Sequence, residues 1–368
     1  MSASRSDRSE PGYWQWTACG ASVTGSEHLR RGLGCDDAFG YGATEDFVVA
    51  VVADGAGSVS GTSAWGSYAA CQSVLHQTMA PAFLRSFRGA SADDAAPIMR
   101  WLFEGALEAV RKQADALGVP LNQLATTLCV AVATPSLALF GQIGDGVIAS
   151  ESGSGIDTHL IEEKSEYANA TWFVQSDGAF EESFRTMARE GLTAFALSTD
   201  GMTYKITNIV TGKPYEPFFA GSWQHVRSGA SAADFAALLR GIEDDQTGDD
   251  KTMVLAALEW VNDEFHPSAR PVQKTVVSSA PPPMLPTAAP RNGAVVTRAR
   301  KPVPPPDSVS IVERGEFVDG QNPLPPSRDT TMPPADENAG DSQNEPISHD
   351  DDSRRNRRWQ TRRRKAQQ

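Results

Sequence analysis

Apolar positions along the chain change period several times, and each change marks an element. Residues 47–53 are apolar throughout and mostly valine, the pattern of a strand buried on both faces. The run stops at Asp54, and Gly55 and Gly57 follow it. Glycine lets the backbone turn sharply there and come close to whatever the carboxylate holds. Upstream, residues 14–23 are compatible with a first strand. Residues 35–40 lead through a turn at 42–45 into the valine run, which predicts an antiparallel hairpin. Residues 24–34 read as a polar loop carrying His28, Arg30 and Arg31.

Beyond residue 62 the period lengthens. Ala64, Tyr68, Ala69, Cys71, Val74 and Leu75 make one face of a helix over 63–79. Ile98, Leu102, Ala106, Ala109 and Val110 make the stripe of a second helix, with Asp93 and Asp94 near its start and a stop at Gly118-Val119-Pro120. Residues 125–133 and 137–143 form a second hairpin around a Thr-Pro-Ser turn. Gly144-Asp145-Gly146 interrupts the apolar pattern, and residues 147–149 resume it. Residues 193–199 are a strand ending on Asp200-Gly201. A short helix over 232–239 follows, then a last core strand over 253–258, opened by Gly248-Asp249-Asp250-Lys251-Thr252. Strands arrive in hairpins with helices clustered between them, which favours an α+β sandwich of antiparallel sheets over a parallel doubly wound sheet. From about residue 262 prolines accumulate and periodicity ends. The expected organisation is a disordered leader over 1–12, one domain over 13–261 and a disordered Pro-rich tail over 262–368.

Charge and cysteine usage narrow the function. With 33 basic against 46 acidic residues the formal charge is -13, which argues against a surface that coats nucleic acid and suits divalent cations. Cys19, Cys35, Cys71 and Cys129 are far apart with no CxxC pair, against a zinc ribbon, a thioredoxin-like site or a disulfide framework. The first eleven residues lack the apolar centre of a signal peptide, and no later stretch is long and apolar enough to span a bilayer. The expectation is a cytoplasmic protein.

Five aspartates share a setting: Asp37, Asp54, Asp145, Asp200 and Asp249 all stand at strand ends or turns. In an antiparallel sandwich such ends can gather at one edge of the sheets. Clustered carboxylates would repel unless hard cations neutralised them, and Mg²⁺ or Mn²⁺ is the expected occupant. Two such ions about 3.5–4 Å apart can stabilise in-line attack on phosphorus.

His28 with Cys35-Asp36-Asp37-Ala38, then Val52-Ala53-Asp54-Gly55-Ala56-Gly57, Thr126-Thr127 with Gly144-Asp145, Ser198-Thr199-Asp200-Gly201, and Asp249-Asp250-Lys251-Thr252 follow one another in order. Together they resemble the metal-dependent protein phosphatases of the PP2C (PPM) type, most nearly the bacterial branch whose first motif reads His…Cys-Gln-Asp-Ala. The resemblance covers roughly residues 14–258. It implies an α-β-β-α sandwich of two antiparallel sheets flanked by helices. It implies Asp54 bridging two Mg²⁺ or Mn²⁺ ions, the Gly55 carbonyl binding one, and Asp200 and Asp249 holding one. Asp37 would orient water on the other, and Asp145 with Asp200 would form a looser third-metal site. The implied reaction is hydrolysis of phosphoserine or phosphothreonine by a metal-bridging hydroxide, without a phosphoenzyme. The implied partners are a phosphoprotein substrate and a Ser/Thr kinase or von Willebrand A-type protein encoded nearby.

The chain departs from that pattern in four places, the mildest being Ser58 where many members have Gly. Ala56 stands where some relatives carry a proton-donating histidine, so the general acid is unassigned. Asp36 replaces the usual Gln or Glu. No arginine clearly matches the one that grips phosphate in some relatives, which leaves His28 as a candidate catalyst and Arg30 and Arg31 as candidate phosphate binders. Two rivals to the enzyme follow. One is a pseudophosphatase that senses phosphorylation without turnover. The other is a scaffold whose tail does the binding. That tail carries Pro323-Leu324-Pro325-Pro326-Ser327-Arg328, and its basic end over 354–365 suits an acidic partner, anionic lipid or nucleic acid.

Overall fold

A strand that is apolar on both faces needs a packed layer on each side, and the fold supplies both. The computed structural model describes residues 12–44, 46–56, 62–161, 171–243, 246–262, 275–283 and the backbone of 310–311. Twelve strands are formed among these: β1 (Gly12–Val23), β2 (Ala38–Ala43), β3 (Val48–Ala53), β4 (Leu128–Ala133), β5 (Leu137–Ile143) and β6 (Val147–Ser152), then β7 (Gly155–His159), β8 (Arg185–Glu190), β9 (Leu192–Ser198), β10 (Lys251–Asn262), β11 (Thr275–Ser278) and β12 (Ser310–Ile311). They pair antiparallel into a five-stranded sheet, β1-β10-β9-β6-β7, and a seven-stranded sheet, β12-β11-β2-β3-β4-β5-β8.

The period of two along β3 divides the core. Val48, Ala50 and Val52 turn toward the five-stranded sheet and meet Trp16, Phe140, Phe195 and Val254 between the sheets. Val49, Val51 and Ala53 turn the other way, under α2 (Ser63–Thr78), α3 (Pro81–Phe87) and α4 (Ala95–Leu117). The outer face of the five-stranded sheet is lined by Ala149, Ala194 and Ala196. After the single turns α5 (Ala179–Glu182) and α6 (Thr203–Ile206), those small residues let Phe219 and Trp223 of α7 (Glu216–Arg227) and Phe235 of α8 (Ala232–Gly241) pack closely on it. The result is the expected α-β-β-α sandwich of two antiparallel sheets. Each fully buried Val, Leu or Phe in it is worth about 1.5–3 kcal/mol of transfer from water. The α4 stop at Gly118 is a left-handed residue at φ 66, the backbone shape glycine adopts most easily.

Several boundaries differ from the sequence expectation. Within the stretch read as a polar loop, α1 (Ser26–Arg30) is helical. Gly12 and Asn262, placed just outside the domain, pair with each other at one end of the β1–β10 ladder. Strand β11 falls inside the segment assigned to a disordered tail. Its Thr-Val-Val-Ser run pairs with β2, and Val277 is buried in the intersheet core. Four β-branched and polar residues are too few to stand out among prolines, yet they cover what would be an open sheet edge. The leader over 1–11, the polyproline pattern at 323–328 and the basic end lie outside the described residues. Among the described residues no helix is long and apolar enough to cross a membrane.

His159 of β7 offers a test of the intersheet packing. It is buried, and its Nε2 lies 2.7 Å from Ser150 Oγ. Burial first, then the positive charge of Arg189, pushes its pKa from 6.5 down to about 4. The unfolded chain therefore takes up the proton first as pH falls, and stability is lost between pH 6.5 and about 4. In thermal melts across that window we expect wild type to lose Tm more steeply than His159→Gln. Parallel slopes would refute this assignment.

Candidate active site

Strand β3 delivers Asp54, and its neighbour β4 fixes how the carboxylate leaves the sheet. The Thr127 amide donates to the Asp54 carbonyl at 2.8 Å, and the Asp54 amide donates to Thr127 Oγ1 at 3.0 Å. Gly55 then passes so close to other backbone that an added Cβ would lie 2.5 Å from the Asp36 carbonyl and 2.9 Å from that of Ser63. The second Asp-Gly turn is just as tight. Asp200 opens a 3-10 turn after β9, and a Cβ on Gly201 would stand 1.9 Å from the Asp250 carbonyl. Pairing of β9 with β10, continued by the Thr199 amide on the Thr252 carbonyl at 3.0 Å, brings Asp200 beside Asp249 and Asp250.

The two Asp-Asp pairs divide their roles, and in each one member serves the fold. Asp36 is buried, accepts from Ser63 Oγ at 2.9 Å through its carboxylate, and through its carbonyl accepts from the Gly55 amide and from Ser67 Oγ. Asp250 is equally buried. It accepts from the amides of Gly25 at 2.7 Å and Asp36 at 2.6 Å, and its Oδ2 faces His28 Nδ1 at 2.9 Å. Asp37 and Asp249 make fewer such contacts to the fold. Thr199 Oγ1 donates to Asp37 at 2.7 Å, and Asp249 lines a cavity of about 330 Å³ together with Asp54.

Asp37, Asp54, Asp200 and Asp249 thus form one electrostatic group. Burial first, then the charges of Asp37, Asp200 and Asp249, holds the Asp54 carboxyl well above the usual range, and Asp54 is in hydrogen-bond contact with Asp200. Burial and then Asp250 raise Asp37 as well, against the opposing hydrogen bonds of Thr199 and Thr252. Among the described residues no Lys or Arg lines the cavity, whose remaining walls are Glu27, His28, Ala56, Thr171, Phe173 and Thr247. Carboxylates crowded without a protein cation are a hard-oxygen donor set, and that set fits a divalent ion such as Mg²⁺ or Mn²⁺.

The other candidates are placed unevenly. His28 is buried and lines the cavity, and its hydrogen bond to Asp250 raises its pKa against the effect of burial. The ligand atoms of His28, Asp249 and Asp250 lie within 4.8 Å of one another. Asp145 sits in the turn between β5 and β6, where Thr171 Oγ1 donates to its Oδ2 at 3.0 Å. Arg30 and Arg31 are not brought to the cavity. Helical spacing in α1 puts Arg30 three residues from Glu27, which takes its guanidinium through two hydrogen bonds on an exposed face, and Arg31 is exposed. Sequence reasoning missed the supporting hydroxyls of Ser63, Ser67 and Thr199, and the walls Thr171 and Phe173. Thr126-Thr127 was the one legible signal of a clamp. Residues 171–178 have no periodicity to betray them.

Residues 24–240 match the family model of protein phosphatase 2C. Serine/threonine-protein phosphatase 3 of Escherichia coli (strain K12) is 27% identical over 262 residues, covering 66% of this chain and 98% of that protein. Among solved structures, the catalytic domain of the serine threonine protein phosphatase PstP in complex with 2 manganese ions gives a TM-score of 0.44 at 15% identity, covering 67% of this chain and 99% of that one. RsbX in complex with magnesium gives 0.41 at 15% identity, covering 68% and 100%.

The crowded carboxylates carry their own prediction. The folded pKa values of Asp37 and Asp54 are raised, so stability falls as pH rises from the ordinary 3.8 through the raised values. In EDTA at neutral pH, Asp54→Asn removes one charge from the group and should melt higher than wild type. A gain of roughly 2–4 °C is expected for each kcal/mol of repulsion relieved. A lower Tm for the variant would contradict the described crowding.

Proposed function

The chain belongs to the protein phosphatase 2C family, which makes it a phosphoprotein phosphatase, and on that premise we propose that Asp37, Asp54, Asp200 and Asp249 are the catalytic centre of a metal-dependent serine/threonine phosphatase. The observation that carries the reading is the electrostatic coupling of Asp54 to Asp37, Asp200 and Asp249 beside a cavity that Asp54 and Asp249 line and no described Lys or Arg does. Two Mg²⁺ or Mn²⁺ ions would be held there by Asp37, Asp54, Asp200 and Asp249 with the Gly55 carbonyl. When bound, they supply the Lewis acidity that makes water a nucleophile at neutral pH and neutralise charge on the phosphoryl group.

The rest of the reaction falls to the chain's own residues. Thr127 holds the Asp54 backbone, and Thr199 and Thr252 hold the Asp37 carboxylate, so neither group need reorganise as charge develops. Asp250 fixes the His28 ring through Nδ1, which leaves Nε2 as the nitrogen able to offer a proton to the departing serine or threonine oxygen. That role would answer for Ala56, which has no proton to give. One observation favours the second reading, a phosphate-sensing pseudophosphatase: neither Arg30 nor Arg31 lines the cavity to grip the phosphoryl group.

Hydrolysis of a phosphothreonine peptide in EDTA, Mg²⁺ or Mn²⁺ separates the two readings. The enzyme reading expects turnover only with metal, falling at least about a thousandfold in Asp54→Asn, the scale set by metal-generated nucleophiles. Phosphopeptide binding without turnover at any metal would establish the sensor instead. For His28, we expect His28→Ala to slow the peptide about 10²–10⁴-fold while p-nitrophenyl phosphate, whose leaving group needs no proton, loses far less. Equal losses on both substrates would remove His28 from proton transfer.

A further inference from the structure

Strand β2 follows directly on Asp37 and has few side chains of its own to hold it in place. It reads Ala38-Phe39-Gly40-Tyr41-Gly42-Ala43, and Phe39 and Tyr41 are its large residues in the intersheet core. On the opposite face, Leu75 of α2 and the adjoining Met79 fill the space where Cβ atoms on Gly40 and Gly42 would stand, with nearest atoms at 2.5 and 2.6 Å. Glycine weakens a strand interior, so β2 depends on support along both edges. Strand β3 supplies one edge. The last rung of that ladder pairs Ala38 with Ala53, which puts Asp37 and Asp54 opposite each other one step beyond it.

The other edge is supplied from beyond β10. Strand β11 pairs antiparallel with β2, from Thr275 opposite Ala43 to Ser278 opposite Gly40, and so runs toward the end that bears Asp37. Val277 is buried in the intersheet core and Val276 packs against the layer under α2, the alternation of an integral strand. Ser279 continues the register opposite Phe39, just ahead of Pro281-Pro282-Pro283, which have no amide hydrogen to give. There the Ser279 amide donates to the Phe39 carbonyl at 3.0 Å, and the Phe39 amide donates to Ser279 Oγ at 3.3 Å. Thr127 holds Asp54 through the same pair of bonds, an amide on the carbonyl and a hydroxyl under the amide. In both clamps a side-chain hydroxyl takes the place of the partner's own carbonyl.

We propose that Ser279 is a positioning residue for Asp37: its two-way clamp on Phe39 fixes the start of β2 and with it the Asp37 carboxylate opposite Asp54. The catalytic unit then extends through residue 279. This rests on the phosphatase reading above, in which Asp37 belongs to the metal centre. A role in stability alone makes a different demand on substitution. Thr275 is exposed at the far end of the same strand, so Thr275→Ala perturbs β11 and leaves the clamp intact. Ser279→Ala removes only the hydroxyl, and Ser279→Thr keeps it.

The test compares these three variants with wild type in the full chain, by calorimetric titration of Mn²⁺ and by phosphothreonine-peptide kinetics at saturating Mn²⁺. Ser279→Ala should weaken Mn²⁺ binding about three- to tenfold, the scale of one net hydrogen bond, and should lower kcat more than it raises KM. Ser279→Thr and Thr275→Ala should stay near wild type in both. Mn²⁺ affinity and kcat unchanged in Ser279→Ala, or equally reduced in Thr275→Ala, would overturn the assignment. A wild-type protein without turnover would sink the phosphatase reading, and the clamp is then read by hydrogen exchange at the Gly55 amide, which donates to the Asp36 carbonyl at 3.2 Å. Faster exchange there in Ser279→Ala than in Thr275→Ala supports the clamp, and equal exchange refutes it.

Discussion

Four partly or fully buried carboxylates beside one another are unfavourable in any protein, and much of this fold serves to hold them there. Burial and mutual repulsion both push Asp54 and Asp37 toward the protonated form. Nothing in the described cavity wall offsets that with a Lys or Arg. The opposing forces are structural: a two-way backbone clamp from Thr127, a hydroxyl from Thr199, and two Asp-Gly turns packed so tightly that a methyl group would collide with neighbouring carbonyls. In the proposed reading divalent cations would relieve this repulsion, and binding and folding would be linked at the same residues.

The second tier of aspartates makes the first possible. Asp36 and Asp250 direct their oxygens at amides, hydroxyls and the His28 ring, and they fasten the start of α2, the α1 segment and the beginning of β10 around the cluster. The sandwich sets the spacing. β3 lies in one sheet and β9–β10 in the other, so Asp54 on one side and Asp200 and Asp249 on the other approach across the intersheet core. The cavity is thus a consequence of two sheets ending at the same edge.

Much of this was legible in the sequence, for identifiable reasons. The valine run, the two hairpins and the α4 stripe are long and strongly periodic, and they appear where their patterns place them. The four central aspartates stand out because glycine follows two of them and a strand adjoins each. What the pattern could not resolve is which member of Asp36-Asp37 or Asp249-Asp250 serves chemistry. Adjacent residues project in opposite directions, and only tertiary contacts decide which direction is the core. Polar edge strand β8 and four-residue β11 carry too little periodic signal, and α7 shows its stripe of Phe219, Trp223 and Val226 only weakly against a polar background. Arg30 looked available to a phosphate because its partner Glu27 is three residues away, and that pairing becomes visible only once α1 is known to be helical.

The claim at the centre of this account is that the carboxylate cluster is a divalent-cation centre. Calorimetric titration of Mn²⁺ into the protein tests it most directly, with Asp54→Asn and Asp249→Asn alongside. The account predicts saturable binding in wild type that is lost or strongly weakened in both variants. Binding that is absent from wild type, or that survives both substitutions unchanged, would contradict it.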